Sequence, residues 1–165
     1  MVSLTKRDEY FINVAATAAL QSDITHYKIG ACFHKKKRAS VCGFAHQRNK
    51  LDNFFLSSIH AEVHALKRYF DSLVDKRDRT KRYECVYVVR TSGSNSDRFM
   101  NAKPCSICVL MMQSFNIKYC CYSTGNVKNP FIKERIRDLE LDHLSSAQKH
   151  YMTSQVTRYS YTNWF

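Results

Sequence analysis

Two short stretches, HAE at 60–62 and PCSIC at 104–108, constrain this chain more than any other part of its sequence. Cys105 and Cys108 are three residues apart, so both thiols can face one metal ion from the start of a helix. The helix dipole lowers the pKa of thiols at that end and favours the thiolate, which is the form that binds metal. His60 can supply a third bond, and one imidazole with two thiolates suits zinc. The sequence therefore predicts a fold that joins these two segments.

Glu62 makes this predicted metal site a candidate for catalysis. Residues two apart inside a regular helix point to opposite faces, so His60 and Glu62 can converge only in the first helical turn. The apolar spacing of 58–73 places them there. The sequence offers three strong ligands and no compelling fourth, which is typical of a catalytic zinc site that keeps a position for water. A nearby carboxylate can move a proton from that water to a leaving group.

A metalloprotease is the first alternative to consider, because His60 and His64 are four residues apart and could chelate zinc from one helix face. That motif requires glutamate directly after the first histidine, and Ala61 stands there. A C-x-x-C pair alone could also be redox-active or structural. The two motifs together, each opening a helix that follows strand-like sequence, favour catalytic zinc.

Length and cysteine content favour one globular domain in a reducing compartment. The 165 residues lie near the usual domain size of about 100–150. No stretch approaches the roughly 18 apolar residues of a membrane span, and residues 1–11 lack the apolar segment of a secretory signal. The seven cysteines then favour reduced thiols and a cytoplasmic location. Five are interpreted as small core residues: Cys32, Cys42, Cys85, Cys120 and Cys121.

The chain is strongly basic, with 26 Lys and Arg against 14 Asp and Glu and a formal net charge of +12. Such an excess creates a field that attracts phosphate-rich partners, which are nucleotides or nucleic acid. Solubility alone is the alternative explanation. The basic clusters at 35–38 and 76–82 can also be read as nuclear-import signals, which would place the protein in the nucleus.

The apolar pattern predicts alternating helices and strands. Helices are predicted at 4–21, 58–73, 104–115 and 130–149, strands at 28–34, 39–45, 82–91 and 117–124, and a loop at 92–103. This order indicates a three-layer α/β/α domain, with a mixed central sheet of about five strands and parallel pairing in its second half.

The combination of HAE and PCSIC resembles the signature of zinc-dependent nucleobase deaminases. The stretches KIGACFH, HAEVHALKR, KPCSICVLMM and IKYCCYST are similar to the cytidine and deoxycytidylate (CMP/dCMP-type) branch, and the likeness runs from about Asp8 to Thr124. It implies a cytidine-deaminase-like fold in a single domain over 1–165. The core would cover 4–124, and a C-terminal helix and aromatic tail would cover 126–165.

The resemblance also implies roles for individual residues. His60, Cys105 and Cys108 would hold one zinc ion, and Glu62 would be the proton shuttle. Hydroxide on zinc would attack C4 of cytosine, releasing ammonia and leaving uracil. Main-chain groups near Ala61 and Cys105 would read the edge of the base.

One departure from the family pattern concerns the substrate. Family members commonly carry asparagine in Gly-x-Asn just after the second strand, where it contacts the sugar and base. This chain has Gly43-Phe44-Ala45 there, and His46 and Asn49 follow. We expect Asn49 to take over that contact, with His46 as the alternative.

The motifs leave several substrates open. Cytosine in a (deoxy)cytidine nucleotide, cytosine in single-stranded DNA or RNA, and adenosine in transfer RNA all carry an exocyclic amine, and the branch resemblance favours cytosine. Stacking by an aromatic tail would suit a polymer, whereas enzymes of free nucleotides often form homo-oligomers. The aromatic residues of this tail are Tyr151, Tyr159, Tyr161, Trp164 and Phe165.

A non-catalytic nucleic-acid-binding zinc module is the competing class of function. Glu62 argues against it, because a purely structural zinc site has no use for that carboxylate.

Overall fold

The computed structural model describes residues 3–35, 38–47, 50–51, 54–55, 58–71, 84–93, 98–145 and 149. The elements are α1 (Lys6–Ala19), β1 (Tyr27–Lys35), β2 (Arg38–Phe44), β3 (Lys50–Leu51), β4 (Phe54–Phe55), α2 (Ala61–Asp71), β5 (Cys85–Ser92), β6 (Phe99–Met100), α3 (Ser106–Ser114), β7 (Tyr119–Ser123) and β8 (Phe131–Arg135). A single 3-10 turn, Ile136–Asp138, follows β8. Among the described helices, none has the length and apolar character needed to cross a membrane.

A mixed sheet organises these elements. Its strand order is β2-β1-β5-β7-β8, and the short β6 also pairs with β5. Strands β5 and β7 run parallel, while β1 pairs antiparallel with both β2 and β5, and β8 antiparallel with β7. The predicted mixed sheet with parallel pairing in its second half is therefore confirmed. Strands β3 and β4 form a separate pair.

Alternation along β5 divides the core into two layers. Cys85, Tyr87 and Val89 pack with Phe11 of α1 on one face of the sheet. Val86 and Val88 belong to the second cluster, which includes residues of α2 and α3 on the other face. The predicted three-layer α/β/α architecture is confirmed. Four of the predicted core cysteines are buried, and Cys42 is partly exposed.

Gly43 lets α2 lie directly against β2. A Cβ atom at this position would come within 2.7 Å of the Ala61 carbonyl oxygen and would collide with the backbone nitrogen of Ala65. Only glycine permits such an approach of two backbones. This contact fixes where α2 begins, and the start of α2 is where the HAE motif lies.

The predicted helix at 130–149 is wrong over residues 131–145, which contain a strand, a single 3-10 turn and irregular backbone. Residues 131–135 form β8 instead, with Phe131 and Lys133 facing the α1 layer and Ile132 and Glu134 facing the other. The reason is tertiary: pairing with β7 satisfies backbone groups along that strand, and this outweighs a local helical preference.

Two boundaries also differ from the sequence prediction. Helix α3 begins at Ser106 with Cys105 as its N-cap residue, so Pro104 precedes the helix and does not occupy its first position. The predicted loop at 92–103 contains the short strand β6.

A buried ion pair ties α1 to β8. The Asp8 carboxylate, only 1% exposed, accepts hydrogen bonds from Tyr87 Oη at 2.7 Å and from Lys133 Nζ at 2.6 Å. It also accepts from the Thr5 backbone and hydroxyl, each at 2.8 Å, in a capping box. Burial by itself raises the pKa of Asp8, but these hydrogen bonds prevail and lower it below the ordinary value.

We expect Asp8→Asn to lower the free energy of unfolding by about 3–5 kcal/mol, because the Lys133 ammonium would stay buried without its counter-charge. The matched variant Asp138→Asn alters a 60% exposed carboxylate and should cost less than about 1 kcal/mol. The pKa of Asp8 is lower in the folded state than in the unfolded state, where it is about 3.9. The contribution of Asp8 to the free energy of unfolding is therefore complete above a pH of about 3.9 and is lost as the pH falls through the folded-state pKa. Denaturant titrations between neutral and acid pH measure both effects. Equal stability of the two variants would contradict this account.

Candidate active site

The starts of α2 and α3 meet at one edge of the sheet. His60 directly precedes α2, and Glu62 lies in its first turn. Cys105 is the N-cap residue of α3, and Cys108 lies in the first turn of that helix. Because α3 connects the parallel strands β5 and β7, its first turn lies at the carboxyl end of β5. The convergence predicted from the two motifs is observed.

The three expected ligands are spaced for one metal ion. His60 Nδ1 lies 3.4 Å from Cys108 Sγ and 3.5 Å from Cys105 Sγ. A tetrahedral zinc ion with bonds of about 2.0 Å to nitrogen and 2.3 Å to sulfur separates these atoms by about 3.5 Å. The three ligand atoms all lie within 4.8 Å of one another, and they form the one such group in the described part of the chain. The donor set therefore fits zinc.

The charges of these groups also suit metal binding. The hydrogen bond from the Cys108 thiol lowers the pKa of Cys105 to about 4, in spite of burial, and His60 adds to the effect. The same hydrogen bond and burial raise the pKa of Cys108. The pKa of His60 is raised chiefly by its hydrogen bond with Cys105. Cys105 is thus the thiol that loses its proton more readily, and a dication would displace the protons that remain on the ligands.

Glu62 is an acid buried beside the three metal-ligand candidates. Its side chain is buried, with the residue 5% exposed. Burial raises the pKa of Glu62, although the positive charge of His60 offsets part of that effect. This carboxyl is consequently easier to protonate than an ordinary glutamate, which suits a group that accepts a proton and returns it.

A cavity of about 230 Å³ opens beside these groups, and His60, Ala61, Glu62 and Cys105 line it. Ala61 lines the cavity, and its predicted role in substrate binding stays a prediction. The larger apolar side chains of the wall suit an aromatic ring, and they are Ile24, Tyr27, Ile29, Val88 and Leu144.

Of the two residues expected to contact the substrate, the structure describes His46 and does not describe Asn49. His46 packs against the rings of Phe44 and His64, with centroid separations of 5.5 and 4.7 Å, and is not among the described residues that line the cavity. Asn49 and the aromatic tail lie outside the described residues. The substrate contacts expected of His46 and Asn49 stay predictions.

His64 is turned toward β2. Its Nδ1 accepts a hydrogen bond from the Phe44 backbone nitrogen at 3.2 Å. It is not a member of the metal-ligand group formed by the described residues. This geometry gives no support to the metalloprotease alternative.

Sequence reasoning missed a wall of the cavity that comes from the C-terminal segment 139–145. His143 lines the cavity, and its carbonyl oxygen accepts a 2.8 Å hydrogen bond from the Ser106 backbone nitrogen. Lys103 Nζ donates to Asp142 Oδ1 at 3.0 Å, so the segment is held on both sides of Cys105. No local pattern signals these long-range contacts.

Arg90 of β5 was also missed, although a signal for it was present in the sequence. The side chain lines the cavity. It continues the row of Val86 and Val88 on the inner face of a predicted buried strand, where an apolar residue is expected. A charged residue in such a row indicates a function.

Comparison with known proteins agrees with this geometry. A family model described as the cytidine and deoxycytidylate deaminase zinc-binding region matches residues 5–124. None of the curated proteins matches the chain. The family match and the spacing of His60, Cys105 and Cys108 confirm zinc as the cofactor, with one ion at this group.

Solved structures share the fold at low sequence identity. Cytidine deaminase from Burkholderia pseudomallei superposes with a TM-score of 0.58 at 15% identity, covering 86% of this chain and 100% of that one. Cytidine deaminase from Mycobacterium tuberculosis gives 0.54 at 14%, covering 83% and 96%. The dCMP deaminase from the cyanophage S-TIM5, in apo form, gives 0.50 at 17%, covering 74% and 86%. At identities this low, the superposition shows the fold alone, and that fold is cytidine-deaminase-like.

Removing one ligand should empty the metal site. We expect Cys108→Ser and His60→Ala to lower zinc affinity by more than the roughly 10–100-fold that loss of an outer-shell contact costs. Cys42→Ser is the matched control, because Cys42 lies on β2 and outside the ligand group. Elemental analysis of purified protein measures the zinc content, and circular dichroism checks the fold. Full zinc content in Cys108→Ser would refute the assignment.

Proposed function

Because the chain belongs to the cytidine and deoxycytidylate deaminase zinc-binding family, we propose that it converts cytosine to uracil by hydrolysis, with release of ammonia. The substrate is a (deoxy)cytidine nucleotide or cytosine within single-stranded nucleic acid. One observation carries the proposal: a buried glutamate, Glu62, lies beside the His60, Cys105 and Cys108 group and faces the same cavity.

His60, Cys105 and Cys108 would hold the zinc ion, which when bound would supply a Lewis acid that lowers the pKa of a water molecule. Glu62 would move the two protons of the attacking water, one to the ring nitrogen and one to the amino group, so that the C4–N bond breaks and ammonia leaves. The raised pKa of Glu62, caused by burial, supports this exchange because it makes the carboxylate a better proton acceptor than an ordinary glutamate. The backbone at Ala61 and Cys105 reads the edge of the base from the cavity wall.

The size and walls of the cavity support a single pyrimidine ring. Its volume of about 230 Å³ is below the ~300–1,000 Å³ of pockets that enclose drug-sized ligands. Tyr27, Ile29 and Val88 offer apolar contact to the faces of a ring. A cavity of this size suits a single nucleobase, and the match to the cytidine and deoxycytidylate deaminase family favours cytosine as that base.

The environment of Glu62 argues against a zinc module that only binds nucleic acid. Burying a carboxyl group costs free energy unless its partners compensate, and here the net effect is a raised pKa. A structural zinc site gains nothing from an acid in this position. A role in proton transfer explains why the carboxyl of Glu62 is buried in spite of the cost in free energy.

We expect Glu62→Gln to keep its zinc and to lose about 10²–10⁴-fold in deamination rate, because the amide cannot accept the proton. Glu9→Gln, at an exposed position in the first turn of α1, is the matched control and should retain parental activity. Ammonia release and zinc content are measured on the same preparations. Parental activity in Glu62→Gln would exclude the proposed mechanism.

A substrate panel tests the choice of base and of polymer. We expect uracil from cytidine-containing substrates and no inosine from transfer RNA, measured by mass spectrometry on cytidine, CMP, dCMP, single-stranded DNA, single-stranded RNA and transfer RNA. Turnover that falls steeply with salt on the oligonucleotides alone would assign the net charge of +12 to polymer binding. Inosine without uracil would overturn the cytosine proposal.

A further inference from the structure

Arg90 occupies a position where the strand pattern calls for an apolar side chain. Along β5, Val86 and Val88 belong to the core cluster beneath α2 and α3, and Arg90 is the next residue in that row. Its register partner on β1 is Ile29, which lines the same cavity. The arginine therefore faces the site that holds His60 and Glu62.

The charge of Arg90 is not balanced by an acid within the described residues. Its neighbour Lys103 pairs with Asp142 Oδ1 at 3.0 Å and with Glu140 Oε2 at 3.5 Å. Arg90 makes no such pair among the ion pairs that join described residues. Glu62 is the one carboxylate that the described residues contribute to the cavity lining. A guanidinium in this setting favours an anionic ligand.

Two contacts orient the guanidinium of Arg90, and its Nε–H donor remains without an acceptor among the described residues. Its Cζ lies 4.3 Å from the centroid of the Tyr27 ring, which orients the planar group. One terminal nitrogen donates to the Asn101 carbonyl oxygen at 3.5 Å. The Nε atom is buried and has no hydrogen-bond partner among the described residues. A buried N–H of a charged group without an acceptor is costly, and an oxyanion beside it would remove that cost.

We propose that Arg90 binds a phosphate of the substrate, so that the enzyme selects phosphorylated cytosine nucleotides over the nucleoside. This inference rests on the proposed function, because it requires the base to occupy the same cavity. The planar fork of arginine matches two phosphate oxygens, whereas lysine offers a point charge. The phosphate belongs either to a free nucleotide or to a nucleic-acid strand, and the chemistry of recognition is the same.

The first experiment compares kcat/KM for dCMP, deoxycytidine and a short single-stranded DNA in the parent, Arg90→Gln and Arg90→Lys. We expect Arg90→Gln to lose about 10–100-fold on the phosphorylated substrate, mainly through KM, and less than about threefold on deoxycytidine. Arg90→Lys should recover part of the loss. A loss on dCMP assigns the contact to a free nucleotide, and a loss on the oligonucleotide alone assigns it to a strand.

Arg68→Gln is the matched control. Arg68 is an exposed arginine of α2 that donates to the Cys42 carbonyl oxygen at 3.1 Å and does not line the cavity. It should leave every ratio between substrates unchanged. Equal losses on dCMP, oligonucleotide and deoxycytidine in Arg90→Gln would show that Arg90 only packs against Tyr27, and would overturn the proposal. No loss on any phosphorylated substrate would do the same.

A binding measurement tests the phosphate contact of Arg90 independently of the proposed deamination. Isothermal titration of zinc-loaded parent and Arg90→Gln with dCMP, the oligonucleotide and deoxycytidine needs no turnover. A preference for a phosphorylated ligand that disappears in Arg90→Gln supports the phosphate contact even if no substrate is deaminated. Equal affinity of the parent for all three ligands overturns the contact even if deamination is observed.

Discussion

The meeting of two helix starts at one edge of the sheet is the constraint on which the rest of this structure depends. Parallel pairing of β5 and β7 requires the crossover helix α3, which places its first turn at the carboxyl end of β5. Gly43 lets α2 lie against β2. The result is an imidazole and two thiols at the spacing of a tetrahedral zinc site, with the first turn of α2 supplying an acid beside them.

Two acids are buried in the described part of the chain, and their surroundings shift their pKa values in opposite directions. Asp8 receives hydrogen bonds from Tyr87, Lys133 and Thr5, and its pKa falls because these donors outweigh burial. For Glu62 burial prevails, and its pKa rises. The first arrangement fixes a charge and ties α1 to the sheet. The second makes the carboxyl group of Glu62 easier to protonate than an ordinary glutamate, which suits the proposed chemistry.

Local signals explain how far the sequence could predict this structure. The spacing of HAE and PCSIC and the apolar periods around them were sufficient for the ligands, the helix starts and the three layers. Strand β8 was misread because its pairing with β7 is a long-range contact that FIKER does not encode by itself. The wall containing His143 depends on hydrogen bonds between distant segments. Arg90 could have been found, since a charge on the inner row of a buried strand is itself a signal.

The most direct measurement is X-ray absorption at the zinc edge of the purified protein. The account predicts a first shell of two sulfur atoms at about 2.3 Å and two lighter atoms, one of them an imidazole nitrogen, at about 2.0 Å. The lighter atom that is not imidazole is the position open to water. A shell of three or four sulfur atoms, or one without sulfur, would contradict the claim that His60, Cys105 and Cys108 form an open zinc site.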